Sequence, residues 1–192
     1  MNKSKRITTR TVKKTKSIEG KYEALTIAQY LMSLDPERKY FTNTRMKVSK
    51  TSVSAPQIGN VRLNCLLHLC QVFHYLQHKR LLFKDELLAF EQGIIVYSVY
   101  SSFTSLYYDT TAATDIKSID AKTKKFLREW FNHFHQYSSG ELLNIVQEDP
   151  AWFSTWQKEP DPRIEFTNSG QLDFYQKYFT DFLDHRKLVE KR

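Results

Sequence analysis

A chain of 192 residues, 41% hydrophobic and 14% aromatic, can bury one core, and its five Gly and five Pro supply too few turns for a sandwich or barrel. The net charge of +8 sits at one end: residues 1–21 hold Lys3, Lys5, Arg6, Arg10, Lys13, Lys14, Lys16 and Lys21 against Glu19 alone, leaving the remainder nearly neutral. No apolar run approaches the roughly 18 residues of a membrane span, and no signal-peptide centre is present, so the expected setting is soluble and cytoplasmic.

Residues 1–21 read as a disordered basic arm, with high charge and few apolar groups. Its basic, Ser/Thr-rich composition leaves a transit peptide open. Residues 22–192 are expected to form one compact, mainly α-helical domain with at most two or three short strands. Tyr22 to Leu34 predicts the first helix, with Leu25, Ala28, Leu31 and Met32 on one face and Asp35-Pro36 as its stop. Residues 42–59 turn polar and predict a mobile loop. Val61 to about His78 predicts a second helix, apolar on several sides and therefore central. Cys65 and Cys70 lie on it five apart, pointing in different directions, and read as buried thiols.

From Leu81 to Phe90 strand and helical turn are both open. Gly93 breaks the pattern, and Ile94 to Tyr100 suits a strand or the start of a helix. Thr110 to Ser118 reads as a loop. Asp120 caps a predicted helix from Ala121 to Tyr137, with Phe126, Leu127, Trp130, Phe131 and Phe134 on one side. Ser138 and Glu141 have capping-box spacing and open a short helix over Leu142–Gln147, which Asp149-Pro150 interrupts. Trp152, Phe153 and Trp156 form an apolar cluster. Arg163 to Phe166 suggests a brief strand. Asn168 and Gln171, again at capping-box spacing, precede a last helix running to about Val189.

No Ser/His/Asp, Cys/His or phosphate-cradling Gly pattern is present, so the chain is not read as an enzyme, and no cofactor is expected. His74 and His78 have a spacing that can bind zinc, but the sequence offers neither an intervening Glu nor an evident third ligand, so no metal site is expected. Arg62 and Gln71 are polar groups on an apolar helix; they either bond to backbone near Gly93 or lie at a partner surface. Gly93 suits a positive φ or a close approach. Tyr97, Tyr100, Tyr107 and Tyr108 crowd twelve residues, and Tyr is enriched at interfaces.

The segments ALTIAQYLMSL, VRLNCLLHLCQVFHYL, LLF (Leu81–Phe83), LAFEQGIIVYSVY and ELLNIVQEDPAW follow one another in an order that resembles the Panacea domain family of phage-associated, antitoxin-type proteins. The resemblance spans roughly residues 22–156. It rests on Leu66, Leu67, Phe83, Gly93, Glu141, Leu142, Pro150 and Trp152 as a structural motif. The chain departs from the pattern at Cys65, His68, Ile94 and Tyr97, and a Thr-His pair is Val146-Gln147 here.

The resemblance implies a protein that works by binding another protein: an antitoxin for a toxin encoded nearby, and in some members an adaptor for proteolysis. The expected partner contacts are Arg62, His68, Gln71, Tyr75, Glu91, Tyr97, Tyr100 and Tyr107, in the Val61–Tyr100 region and just beyond it. The alternative is a nucleic-acid-associated regulator acting through Lys3, Lys5, Arg6, Arg10, Lys13, Lys14 and Lys16.

Overall fold

The computed structural model describes residues 20–47, 55–109, 116–156, 162–164, 170–178 and 180. Among these the chain runs α1 (Ala24–Ser33), α2 (Ile58–His78), β1 (Leu88–Phe90), β2 (Gly93–Ile95), α3 (Tyr97–Tyr108), α4 (Ala121–Phe134), α5 (Ser139–Gln147) and α6 (Pro150–Thr155). A further helical segment covers 170–178. The architecture is mainly α-helical, with one small antiparallel sheet pairing Leu88 with Ile95 and Phe90 with Gly93. Residues 1–19, which carry the expected basic arm, lie outside the described residues, as does the end of the last predicted helix.

The 21-residue α2 is the axis. Leu63, Leu66, Leu67, Leu69, Cys70, Val72 and Phe73 are buried around it, so its apolar surface is covered on several sides by α1, α3, α4, α5 and β2. Each such aliphatic or Phe side chain contributes about 1.5–3 kcal/mol by leaving water. Phe73 stacks on Trp130 of α4 at 4.2 Å, and Trp130 on Phe134 at 5.7 Å. Burial pushes the Cys65 thiol up to about 12 and the Cys70 thiol higher still, which keeps both inert.

Local chemistry sets the boundaries. α2 starts at Ile58, three residues before the sequence-predicted Val61, because the preceding chain folds back over its first turn. The Ile58 N–H donates to Thr44 O and the Gly59 N–H to Thr42 O, both at 2.8 Å, so two orphan donors find backbone partners and no side-chain cap is needed. Gly59 is required there: a Cβ would lie 2.4 Å from the Phe41 carbonyl carbon. The ends of the expected loop over 42–59 are therefore tied, with Arg45 bridged to Gln57. Residues 48–54 between them lie outside the described residues.

Ile94–Tyr100 divides, its first two residues closing β2 and the rest, after Val96, opening α3. Asp149-Pro150 does not merely interrupt a helix. Asp149 caps α6 by accepting from the Ala151 N–H, and Pro150 takes the first helical position, where its missing N–H costs nothing. The Ser138–Glu141 capping box and the Asp120 cap both form. Arg163, at the start of the expected strand, bridges Leu88, and residues 165–169, which hold the rest of it, lie outside the described residues.

Candidate functional site

Four polar side chains on α2 organise the region that the sequence singles out. Asn60, Asn64, His68 and Gln71 recur at four, four and three residues, which places them within about 80° of one another around the helix. All four are buried. Each reaches a different part of the fold.

Asn60 Nδ2 donates to Tyr100 O at 3.0 Å, inside α3. Asn64 Oδ1 accepts from the Val96 N–H at 2.9 Å, fixing the residue that links β2 to α3, while its Nδ2 donates back to Asn60. Gln71 accepts from the Leu82 and Phe83 N–H groups through Oε1 and donates to Phe83 O through Nε2. One amide thus satisfies three backbone groups of a link that forms no regular ladder. Gly93 stands next to this frame at φ 95, and a Cβ there would meet Leu143 at 3.1 Å and Val146 at 3.2 Å, so both expected reasons for glycine apply.

His68 holds the fourth connection. Its Nε2 lies 3.2 Å from Asp149 Oδ2 and 3.0 Å from the Tyr175 hydroxyl. Gln171 Nε2 donates to the same Asp149 oxygen at 2.7 Å, and the Ala151 N–H to the other at 2.7 Å. A carboxylate only accepts, so His68 Nε2 carries the proton of this contact. Burial works to raise the Asp149 carboxyl; the His68, Gln171 and Ala151 donors outweigh it and hold the group below its ordinary value. Burial, then the neighbouring Asp149 charge, pushes the Tyr175 hydroxyl well up. His68, Asp149, Gln171 and Tyr175 have no measurable exposure, so this cluster joins α2, α6 and the 170–178 helix from inside.

The expected partner contacts therefore separate. His68 and Gln71 are interior and do not present themselves to a partner. Arg62 is half-buried and turned onto Tyr40, donating to its carbonyl at 2.7 Å and lying 4.6 Å from its ring centre; neither it nor Gln71 bonds to backbone at Gly93. Tyr75 is half-buried beside Lys79, and Glu91 is exposed at the hairpin turn. Tyr97 is exposed, and Tyr100 and Tyr107 are half-buried on α3. Of the structural set, Leu66, Leu67, Phe83, Leu142 and Trp152 are core, while Glu141 and Pro150 act at helix starts. Lys3, Lys5, Arg6, Arg10, Lys13, Lys14 and Lys16 lie outside the described residues.

Asn60, Asn64, Asp149, Gln171 and Tyr175 were not among the expected site residues. The polar repeat 60-64-68-71 on an apolar helix was the available signal for the first two. Nothing local in the sequence joins Asp149 and Tyr175 to His68, from which they are 81 and 107 residues away.

His74 and His78 stand with rings 4.7 Å apart, and His74 Nδ1 is 2.8 Å from Arg80 O. Among the described residues no group of three His, Cys, Asp or Glu side chains is placed to hold a metal ion, and no helix is long and apolar enough to cross a membrane. A groove of about 340 Å³ between α2, α4, α5 and the 170–178 helix is walled by rings including Phe73, Trp130 and Phe134. The Glu141 carboxylate at that groove accepts from the Ser138 N–H.

The outer side of α3 is different in kind. Val99, Phe103 and Leu106 face inward, and α3 packs on α1 and α2. Tyr97, Ser101, Thr104, Ser105 and Tyr108 are exposed, with Tyr97 at 61% and Tyr108 at 67%. The two tyrosines are three turns apart on nearly the same line, about 16 Å along the axis. The twelve residues of α3 include no charged group.

The chain matches no protein-family model, no curated protein and no solved structure.

Proposed function

We propose that this chain is a protein-interaction module that neutralises a cognate protein toxin by binding it directly, with the outer face of α3 as the contact surface. The observation that carries the reading is the composition of that face. About a quarter of the chain is charged (26%), yet the exposed side of α3 offers only Tyr, Ser and Thr. A solvated helix face ordinarily carries charges. Surfaces poor in charge and carrying exposed Tyr are those that proteins use to bind proteins, because Tyr gives large contact area at low entropic cost.

The buried amides of α2 support the same reading. Asn60 and Asn64 bond to the backbone of α3 and of its entry at Val96, which fixes the position of the helix before any partner arrives. The resemblance to Panacea-type antitoxins supplies the toxin as partner class. Of the departures from that pattern, Cys65, His68, Ile94 and Val146 are interior, Gln147 is half-buried with its amide donating to Glu91 O, and Tyr97 is exposed. Tyr97 is thus the departure placed to change partner choice; an adaptor for proteolysis would use the same surface for a different client.

The test is co-purification. A tagged chain co-expressed with the product of an adjacent open reading frame retains it, and a Tyr97→Ala/Tyr108→Ala chain does not. Retention by neither, or equal retention by both, contradicts the proposal.

A further inference from the structure

The last turns of α2 carry two imidazoles that the interior frame does not use. His74 is half-buried and His78 exposed, about one helical turn apart. Their ring centres are 4.7 Å apart and their planes are tilted by 57°. Phe126 of α4 packs edge-on against both, 5.3 Å from the His74 ring and 6.1 Å from the His78 ring. Phe126 is itself buried, so it is a fixed wall that narrows the rotamers open to the pair.

The separation suits two rings that share one ion. A metal–nitrogen bond of about 2.0–2.1 Å puts an imidazole centre about 3.2 Å from the metal, and two such rings at a bond angle of about 90–110° have centres about 4.5–5.2 Å apart. The observed 4.7 Å falls inside that range, so the rings need move neither apart nor together.

The tautomer of His74 suits a metal as well. The Arg80 carbonyl, 2.8 Å from His74 Nδ1, can only accept, so Nδ1 carries the proton and Nε2 keeps its lone pair. Metal-bound imidazoles are ordinarily oriented in this way, the second nitrogen donating to a backbone carbonyl or a carboxylate. Burial foremost, with the neighbouring His78, holds the His74 ring below its ordinary value, which favours the neutral, ligating form. Among the described residues neither His74 Nε2 nor a His78 nitrogen makes a hydrogen bond.

The surroundings favour a cation. The pair lies at the C-terminal end of α2, the negative end of its dipole. The Asp120 carboxylate at the start of α4 acts on His74, and Lys21 foremost holds that carboxyl far below its ordinary value, so its charge persists. Of the nearby cations, Lys21 is paired with Asp120 at 2.7 Å, and Lys79 Nζ lies over the Tyr75 ring, 5.9 Å from its centre.

We propose that His74 and His78 form a two-imidazole site for one divalent transition cation of the copper, nickel or zinc type. Imidazole nitrogen suits these ions, whereas magnesium and calcium take oxygen ligands. Among the described residues no third His, Cys, Asp or Glu joins the pair, so water completes the coordination and the ion exchanges, unlike the four-ligand ion of a structural site. The proposal is independent of toxin binding by α3.

The test is isothermal titration of the chelator-treated full chain with copper(II), nickel(II) and zinc chlorides in turn, and with magnesium chloride as control. His78→Gln and His74→Gln are titrated alongside. His78 is exposed, so its replacement leaves the helix intact; circular dichroism checks the fold of both variants. The expected result is one site per chain, tightest for copper(II), with no site for magnesium and at least a tenfold loss of affinity in each variant. Folding stability gives a second readout. The paired geometry exists only in the folded helix, so nickel(II) at about 100 times its Kd raises the urea-unfolding midpoint of the wild-type chain and of neither variant. Equal affinity in the wild-type chain and His78→Gln would place the ion on other histidines, such as His133 and His135, and overturn the proposal. Failure of all three transition ions to bind the wild-type chain would overturn it as well.

Discussion

Asp149 is the residue on which most of the interior polar structure converges. Its carboxylate accepts from His68, Gln171 and the Ala151 N–H, capping α6 while tying α2 to the 170–178 helix. Asp149→Ala would leave His68 and Gln171 without their acceptor and remove the cap, at a cost of about 3 kcal/mol or more, measured by urea unfolding. Its folded pKa lies below the unfolded value near 3.8, so its contribution is present above that pH and is lost as pH falls through the lower, folded value. Below about pH 4 the wild-type stability should therefore fall more steeply than that of Asp149→Asn; parallel curves would show that the buried carboxylate is not held as its geometry indicates. Gly93 makes a second prediction at this scale. With φ 95 and Leu143 and Val146 against the Cβ position, Gly93→Ala should cost about 1–3 kcal/mol. A neutral substitution would mean that the hairpin can shift away from α5.

The elements show which signals the sequence carries. Periodicity and cap chemistry were legible: α1, α4 and α5 begin within three residues of where their apolar spacing and the Asp120 and Ser138 caps place them. Leu81–Tyr100 was not, because short apolar runs suit strand and helix alike. What separates them is Asn64 and Gln71, whose amides supply the hydrogen bonds that a regular ladder would otherwise supply. Pro150 was legible as a break but not as a start, since that depends on Asp149 being held in a capping position. The candidate site divided by the same logic: polarity marked Arg62 and Gln71, and the departure from the family pattern marked His68, but burial, which decides between interior fastening and partner contact, came from elements far along the chain. α3 carries the prediction proper to this scale. Tyr97→Ala/Tyr108→Ala should change stability by less than about 0.5 kcal/mol, because both side chains are mostly exposed, and should weaken binding of the captured partner at least tenfold by calorimetry. Loss of stability with unchanged affinity would assign the tyrosines to the fold.

Across the whole molecule, one buried helix divides the work. The polar line of α2 positions α3, the 82–83 link and the 170–178 helix, while its apolar surface meets the aromatic layer of α4. Two helices turn contrasting surfaces outward: α3 without charge, and α4 with cations along one side. The proposed neutralisation of a toxin by the uncharged face is tested most directly by growth of cells expressing an adjacent open reading frame. Toxicity relieved by this chain, and not by Tyr97→Ala/Tyr108→Ala at equal soluble level, is the predicted result. Toxicity that the wild-type chain leaves unrelieved, or that both chains relieve equally, would contradict it.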